Sequence, residues 1–95
     1  VAEPHVRHVY HLYVTQCDNR DDMARELKRR GISTGHYYPC PLHLQKALAG
    51  LGHKQGDFQT TEQVCARSFA LPISPHLTRE QQSYILDALF EAGLR

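Results

Sequence analysis

The chain has 95 residues, a length that fits one small domain with a modest core. Eleven basic residues against ten acidic ones leave a net charge of +1, which supplies no basic face for a nucleic-acid partner. With 41% hydrophobic and 22% charged residues and no apolar run near the ~20 residues of a membrane span, the composition is that of an ordinary globular protein. No secretory leader is recognisable, and the first residue is Val1, as expected of a trimmed product or a fragment. Cys17, Cys40 and Cys65 form no C-x-x-C pair, which points to a reducing, cytoplasmic setting.

In chain order, His8–Thr15 (HVYHLYVT) reads as a strand. Its apolar residues fall on both parities, so both faces are expected to be covered, or the strand to be central. Residues 18–30 read as a helix capped by Asp18 or Asn19, with Asp21 and Asp22 in its first turn and Arg29 and Arg30 in its last. Gly31 stops it. Met23, Ala24 and Leu27 form its apolar stripe, continued by Ile32, and Asp21–Arg25 and Glu26–Arg30 are i,i+4 pairs. Residues 33–38 read as extended. Residues 43–49 read as a helical turn with Leu44, Ala47 and Leu48 inward, and Gly56-Asp57 marks a further turn. Residues 60–68 are a second helix with a Thr60/Gln63 capping box. Phe69–Leu71 is a short strand that Pro72 places at an edge or at its own end. The last helix starts at a Thr78/Gln81 capping box, runs through Tyr84, Ile85, Ala88, Leu89 and Ala92, and closes at Gly93. The order β-α-β-α-α-β-α predicts an α+β fold in two layers, with helices on one face of a short, mainly antiparallel sheet.

Two groups of residues invite a chemical reading. His5, His8 and His11 are spaced by three. A strand puts His8 on the face opposite the other two, the wrong geometry for converging on one metal ion unless the terminus frays, and solvent-facing or hydrogen-bonded histidines are the expectation. The run Gly31–Gln45 (GISTGHYYPCPLHLQ) is a different case. Pro39 and Pro41 fix their own φ and hold Tyr38 and Cys40 extended, so the segment is a stiff rail projecting His36, Tyr37, Tyr38 and His43. Rings with polar tips suit a hydroxyl-rich or phosphorylated ligand. The same residues also admit a structural reading, in which the tyrosines cover the core and the prolines turn a corner. Lys28, Lys46 and Lys54 have flanks too polar for the desolvated amine that Schiff-base chemistry needs. No glycine-rich phosphate loop and no G-x-S-x-G is present. Asp57 and Glu62 are the nearest acidic residues to the rail, with no paired-carboxylate spacing.

The ordered set of short matches resembles the C-terminal small domain of the DegT–DnrJ–StrS family, pyridoxal-phosphate-dependent aminotransferases of nucleotide-linked keto sugars. His11–Val14 is similar to the first strand after the family's domain hinge. Arg20-Asp21, the helix and Gly31-Ile32 resemble its "RD…L…RGI" segment. Residues 37–45 (YYPCPLHLQ) resemble its "HYP-x-PLH-x-Q" motif. Leu51-Gly52, Gly56-Asp57-Phe58, Glu62, Leu71-Pro72, Pro75 and Leu77-Thr78 follow in order. The resemblance implies a domain that closes over the active site of a dimeric enzyme. His36, Tyr37, Tyr38 and His43 would line the substrate pocket, while a separate large domain holds the cofactor and its lysine. No catalytic, cofactor-binding or metal-binding residue is assigned to this chain, which alone is expected to be inactive. Its partners would be that large domain or a second copy, with no nucleic acid or membrane. The alternative is a stand-alone, self-associating module that kept the fold without the enzyme. Three positions depart from the pattern: Tyr37 stands where the family has histidine and His36 lies one place earlier, Gln59 replaces a usual proline, and Phe69-Ala70 replaces Leu-Ser.

Overall fold

A computed structural model describes residues 3–93. Strand β1 (Tyr13–Gln16) and strand β2 (Ser68–Leu71) pair antiparallel, with Tyr13 opposite Leu71 and Gln16 opposite Ser68. Helices α1 (Arg20–Arg29), α2 (Gln59–Arg67) and α3 (Arg79–Glu91) complete the α+β architecture. Two short 3-10 segments, Leu42–Leu44 and Lys46–Leu51, precede α2.

The first strand is shorter than its sequence suggests. Tyr10 has a φ of 50°, which breaks the extended run, and residues 8–12 lie outside the ladder. Nor is β1 covered on both faces, since Tyr13 and Val14 are both exposed. The covered strand is β2, whose first three residues are all buried. It pairs with β1 on one side and meets Gly35 on the other, where Gly35 and Ala70 exchange two backbone hydrogen bonds of 3.0 and 2.7 Å. The predicted extended stretch 33–38 therefore contributes one bridge rather than a strand. Pro72 marks the end of β2, not an edge.

The core forms where α1 and α3 meet β2. Leu27 and Phe69 are fully buried, and Met23, Ile32, Ala88 and Leu89 pack with them. Helix α1 ends in a Schellman arrangement: Gly31 N–H donates to Lys28 and Ile32 N–H to Leu27. Gly31 has a φ of 76°, a conformation glycine adopts without a Cβ penalty, and it turns Ile32 into the core. At the other end of α1 neither Asp18 nor Asn19 caps through its side chain. Asp18 instead pairs with Arg67 of α2 at 2.9 Å, and the Arg20 guanidinium donates to the Cys65 carbonyl at 2.7 Å. Asp21 bonds Arg20, and Arg25 bonds Asp22, so the i,i+4 pair expected of Asp21 and Arg25 does not form. Glu26–Arg30 does form, at 3.0 Å, and Arg30 also reaches Glu91 of α3.

Helix α3 begins as its sequence indicates. Thr78 accepts from Gln81 N–H while the Gln81 side chain accepts from Thr78 N–H. The box expected at Thr60 and Gln63 is absent, because α2 starts earlier and Phe58 occupies its N-cap. In the 3-10 region the inward residue is His43, not Ala47, which is exposed.

Candidate functional site

The rail is anchored at its start by the Gly35–Ala70 bridge. A Cβ on Gly35 would stand 2.6 Å from Cε2 of Tyr37, so the absence of a side chain there makes room for the Tyr37 ring. Tyr37 and Tyr38 are both exposed, Tyr38 at 70%, and their rings meet edge to face with centroids 5.8 Å apart. Large aromatic side chains left to solvent on a proline-stiffened segment are available for contact without core rearrangement.

His36 points elsewhere. It lines an open groove of about 480 Å³ against α1, together with Ala24, Arg25, Lys28, Ser33 and Thr34. His43 faces inward and is 8% exposed. Its Nε2 lies 2.9 Å from Oε1 of Glu62, and the same oxygen accepts from the Gly56 N–H at 2.8 Å. The Phe58 ring packs on His43 at 4.8 Å and on His53 at 5.1 Å. The Gly56 N–H, foremost, and the His43 contact hold the Glu62 carboxyl below its ordinary range, against the opposing effect of burial. The four residues singled out in the sequence thus fall into three environments: an exposed tyrosine pair, a histidine in the α1 groove and a histidine tied to α2.

Sequence reasoning placed Glu62 near the rail without giving it a role. The signal was weak, since nineteen residues separate Glu62 from His43. The His8 ring accepts from Tyr10 N–H through Nδ1 at 2.8 Å. Burial pushes the Cys17 thiol up, leaving it an inert packing group. Lys28, Lys46 and Lys54 are all exposed. None of the three sits in the desolvated surroundings that a Schiff-base amine requires.

Residues 1–90 match the family model of the DegT/DnrJ/EryC1/StrS aminotransferase family, and the chain belongs to that family. It is 40% identical over 84 residues to a pleiotropic regulatory protein of Geobacillus stearothermophilus, a match covering 88% of this chain and 23% of the relative. It is 36% identical over 91 residues to the dTDP-3-amino-3,4,6-trideoxy-alpha-D-glucose transaminase of Streptomyces venezuelae, covering 96% of this chain and 24% of that enzyme. The crystal structure of S. venezuelae DesV in complex with a ketimine intermediate superimposes with a TM-score of 0.88 at 34% identity. That superposition covers 100% of this chain and 26% of DesV. The chain thus spans about a quarter of the length of the relatives it matches. No helix among the described residues is long and apolar enough to cross a membrane.

Proposed function

We propose that these 95 residues form one domain, the substrate-closing small domain of a pyridoxal-phosphate-dependent aminotransferase of nucleotide-linked keto sugars. It works beside a lysine-bearing large domain, in the cytoplasm, within a two-fold dimer. Tyr37 and Tyr38 present their hydroxyls to the sugar nucleotide, His36 flanks them from the α1 groove, and His43 acts from behind the rail. The lysine chemistry belongs to the large domain, and this chain binds, orients and excludes water.

The observation that carries the reading is the surface. The accessible area is 7692 Å², against about 5,600 Å² for a compact monomer of this mass. Exposed Tyr13, Ile73 and Leu86 join Leu71, Pro72, Leu77 and Ile85 around an open apolar groove of about 280 Å³. Uncovered apolar area of this kind marks a surface that a partner body covers. The same area favours a second reading, a self-associating module without enzyme activity.

Joining the chain to the lysine-bearing domain of a relative separates the two. The first reading predicts transamination of a nucleotide-linked keto sugar by the fusion and none by the chain alone. A soluble, cofactor-loaded fusion without activity supports the module. In an active fusion, Tyr38→Phe removes a hydrogen bond to a charged ligand and raises KM by about tenfold or more with little change in kcat. An unchanged KM removes Tyr38 from the pocket.

A further inference from the structure

Among the described residues, positions 36–42 make no hydrogen bond to any residue outside 35–45. The rail is therefore held at its two ends. The leading end is the Gly35–Ala70 bridge. The trailing end is His43, two residues after Pro41, whose one hydrogen-bond partner among the described residues is Glu62. Because 37–42 is stiffened by prolines and makes no hydrogen bond beyond the loop, its direction depends on how firmly His43 is fixed.

Glu62 is suited to fix it. Its side chain is 18% exposed and that of His43 7%. Oε1 takes two donors, one from the Gly56 backbone and one from the imidazole, so the carboxylate is itself held before it holds the ring. A carboxylate on Nε2 keeps a proton on that nitrogen and sets the ring plane. No sealed side-chain nitrogen or oxygen among the described residues lacks a partner, so Nδ1, which makes no hydrogen bond there, keeps access to solvent.

We propose that Glu62 is the positioning residue of the candidate site: it locks the His43 proton on Nε2 and clamps the trailing end of the Tyr37–Pro41 rail to α2, so that the tyrosines hold one direction. The ligand-facing role of those tyrosines rests on the reading given under Proposed function, whereas the clamp is a property of this chain alone.

The test is ¹H–¹⁵N NMR of the 95-residue chain with Glu62→Ala and Glu62→Gln. In the unsubstituted chain the His43 ring nitrogens show the proton on Nε2. In Glu62→Ala that pattern is lost and the Tyr37, Tyr38 and Cys40 amides move or broaden, while β2 and α3 amides stay in place. Glu62→Gln, whose amide oxygen can accept from the same two donors, restores the rail amides. If Glu62→Ala does not fold, Glu62→Asp, which keeps the charge but shortens the reach, is read in its place. Unmoved rail amides in a folded variant, or failure of Glu62→Gln to restore them, overturn the clamp. A parallel titration with dTDP-glucose separates the two ideas. In the fusion to a lysine-bearing family domain, where the unsubstituted protein binds it, Glu62→Ala weakens binding by about tenfold; where a folded, cofactor-loaded fusion does not bind it, the ligand reading fails and the amide pattern of the chain still decides the clamp.

Discussion

At the residue scale, the candidate site is bounded by Gly35, which leaves room for the Tyr37 ring, and by Glu62, which bonds His43 and the Gly56 N–H. Gly35→Ala places a Cβ against the far edge of a movable ring, so stability changes little while the Tyr37 ring is displaced. Tyr37 ring resonances should shift with Tm nearly unchanged; an unshifted ring contradicts the packing described. Glu62 also gives the chain a pH signature. Its folded pKa is depressed from an ordinary value near 4.5, so its contribution is full above that value and is lost as pH falls through the folded one. Glu62→Gln should be less stable than the unsubstituted chain near neutral pH and converge with it on acidification, followed by urea midpoints. A constant gap across pH would remove the charge from the account. The aromatic character of the rail was legible in the sequence, but the burial of His43 was not. Its partner lies across a turn set by Gly56, and no local spacing records a contact between residues so far apart.

At the element scale, the helices were the most readable parts, for stated reasons. The Thr78/Gln81 box and the Gly31 stop of α1 are local patterns and form as read, and so does the apolar spacing of α3 at Ile85, Ala88 and Leu89, whereas Tyr84 is exposed. Thr78→Ala should cost about 1 kcal/mol, lowering Tm by roughly 4–8 °C in a domain of this size. A shift within a degree would show that the cap is not limiting. The strands were harder to bound. Apolar residues on both parities of 8–15 suggested a strand covered on both faces or a central one, yet only 13–16 pair, because strand length depends on a neighbour whose identity is non-local. The Thr60/Gln63 pattern shows the same limit, since the chain entering α2 sets its start and leaves that box unused. Phe69 ties β2 to α1 and α3. Phe69→Ala should cost about 3–5 kcal/mol, a large share of the stability of so small a chain. Thermal melts followed by far-UV circular dichroism should then show a strongly lowered Tm, and an unchanged Tm would contradict this placement of the core.

At the scale of the whole molecule, the radius of gyration is 16.0 Å, against about 13 Å for a compact domain of similar length. Together with the excess area, this describes a body whose apolar groove and tyrosine rail face outward. Family membership supplies a reason: DesV extends well beyond the portion that this chain matches. The family was legible in the sequence through the order of its short motifs. Which side chains of the rail face outward was not, because that depends on the two anchors, Gly35 on β2 and His43 on α2. The most direct test of the central claim is transamination by this chain fused to a lysine-bearing family domain, assayed with a nucleotide-linked keto sugar. Turnover by the fusion, lost on removing either part, is the predicted result. A fusion that folds and holds its cofactor yet gives no turnover would contradict it.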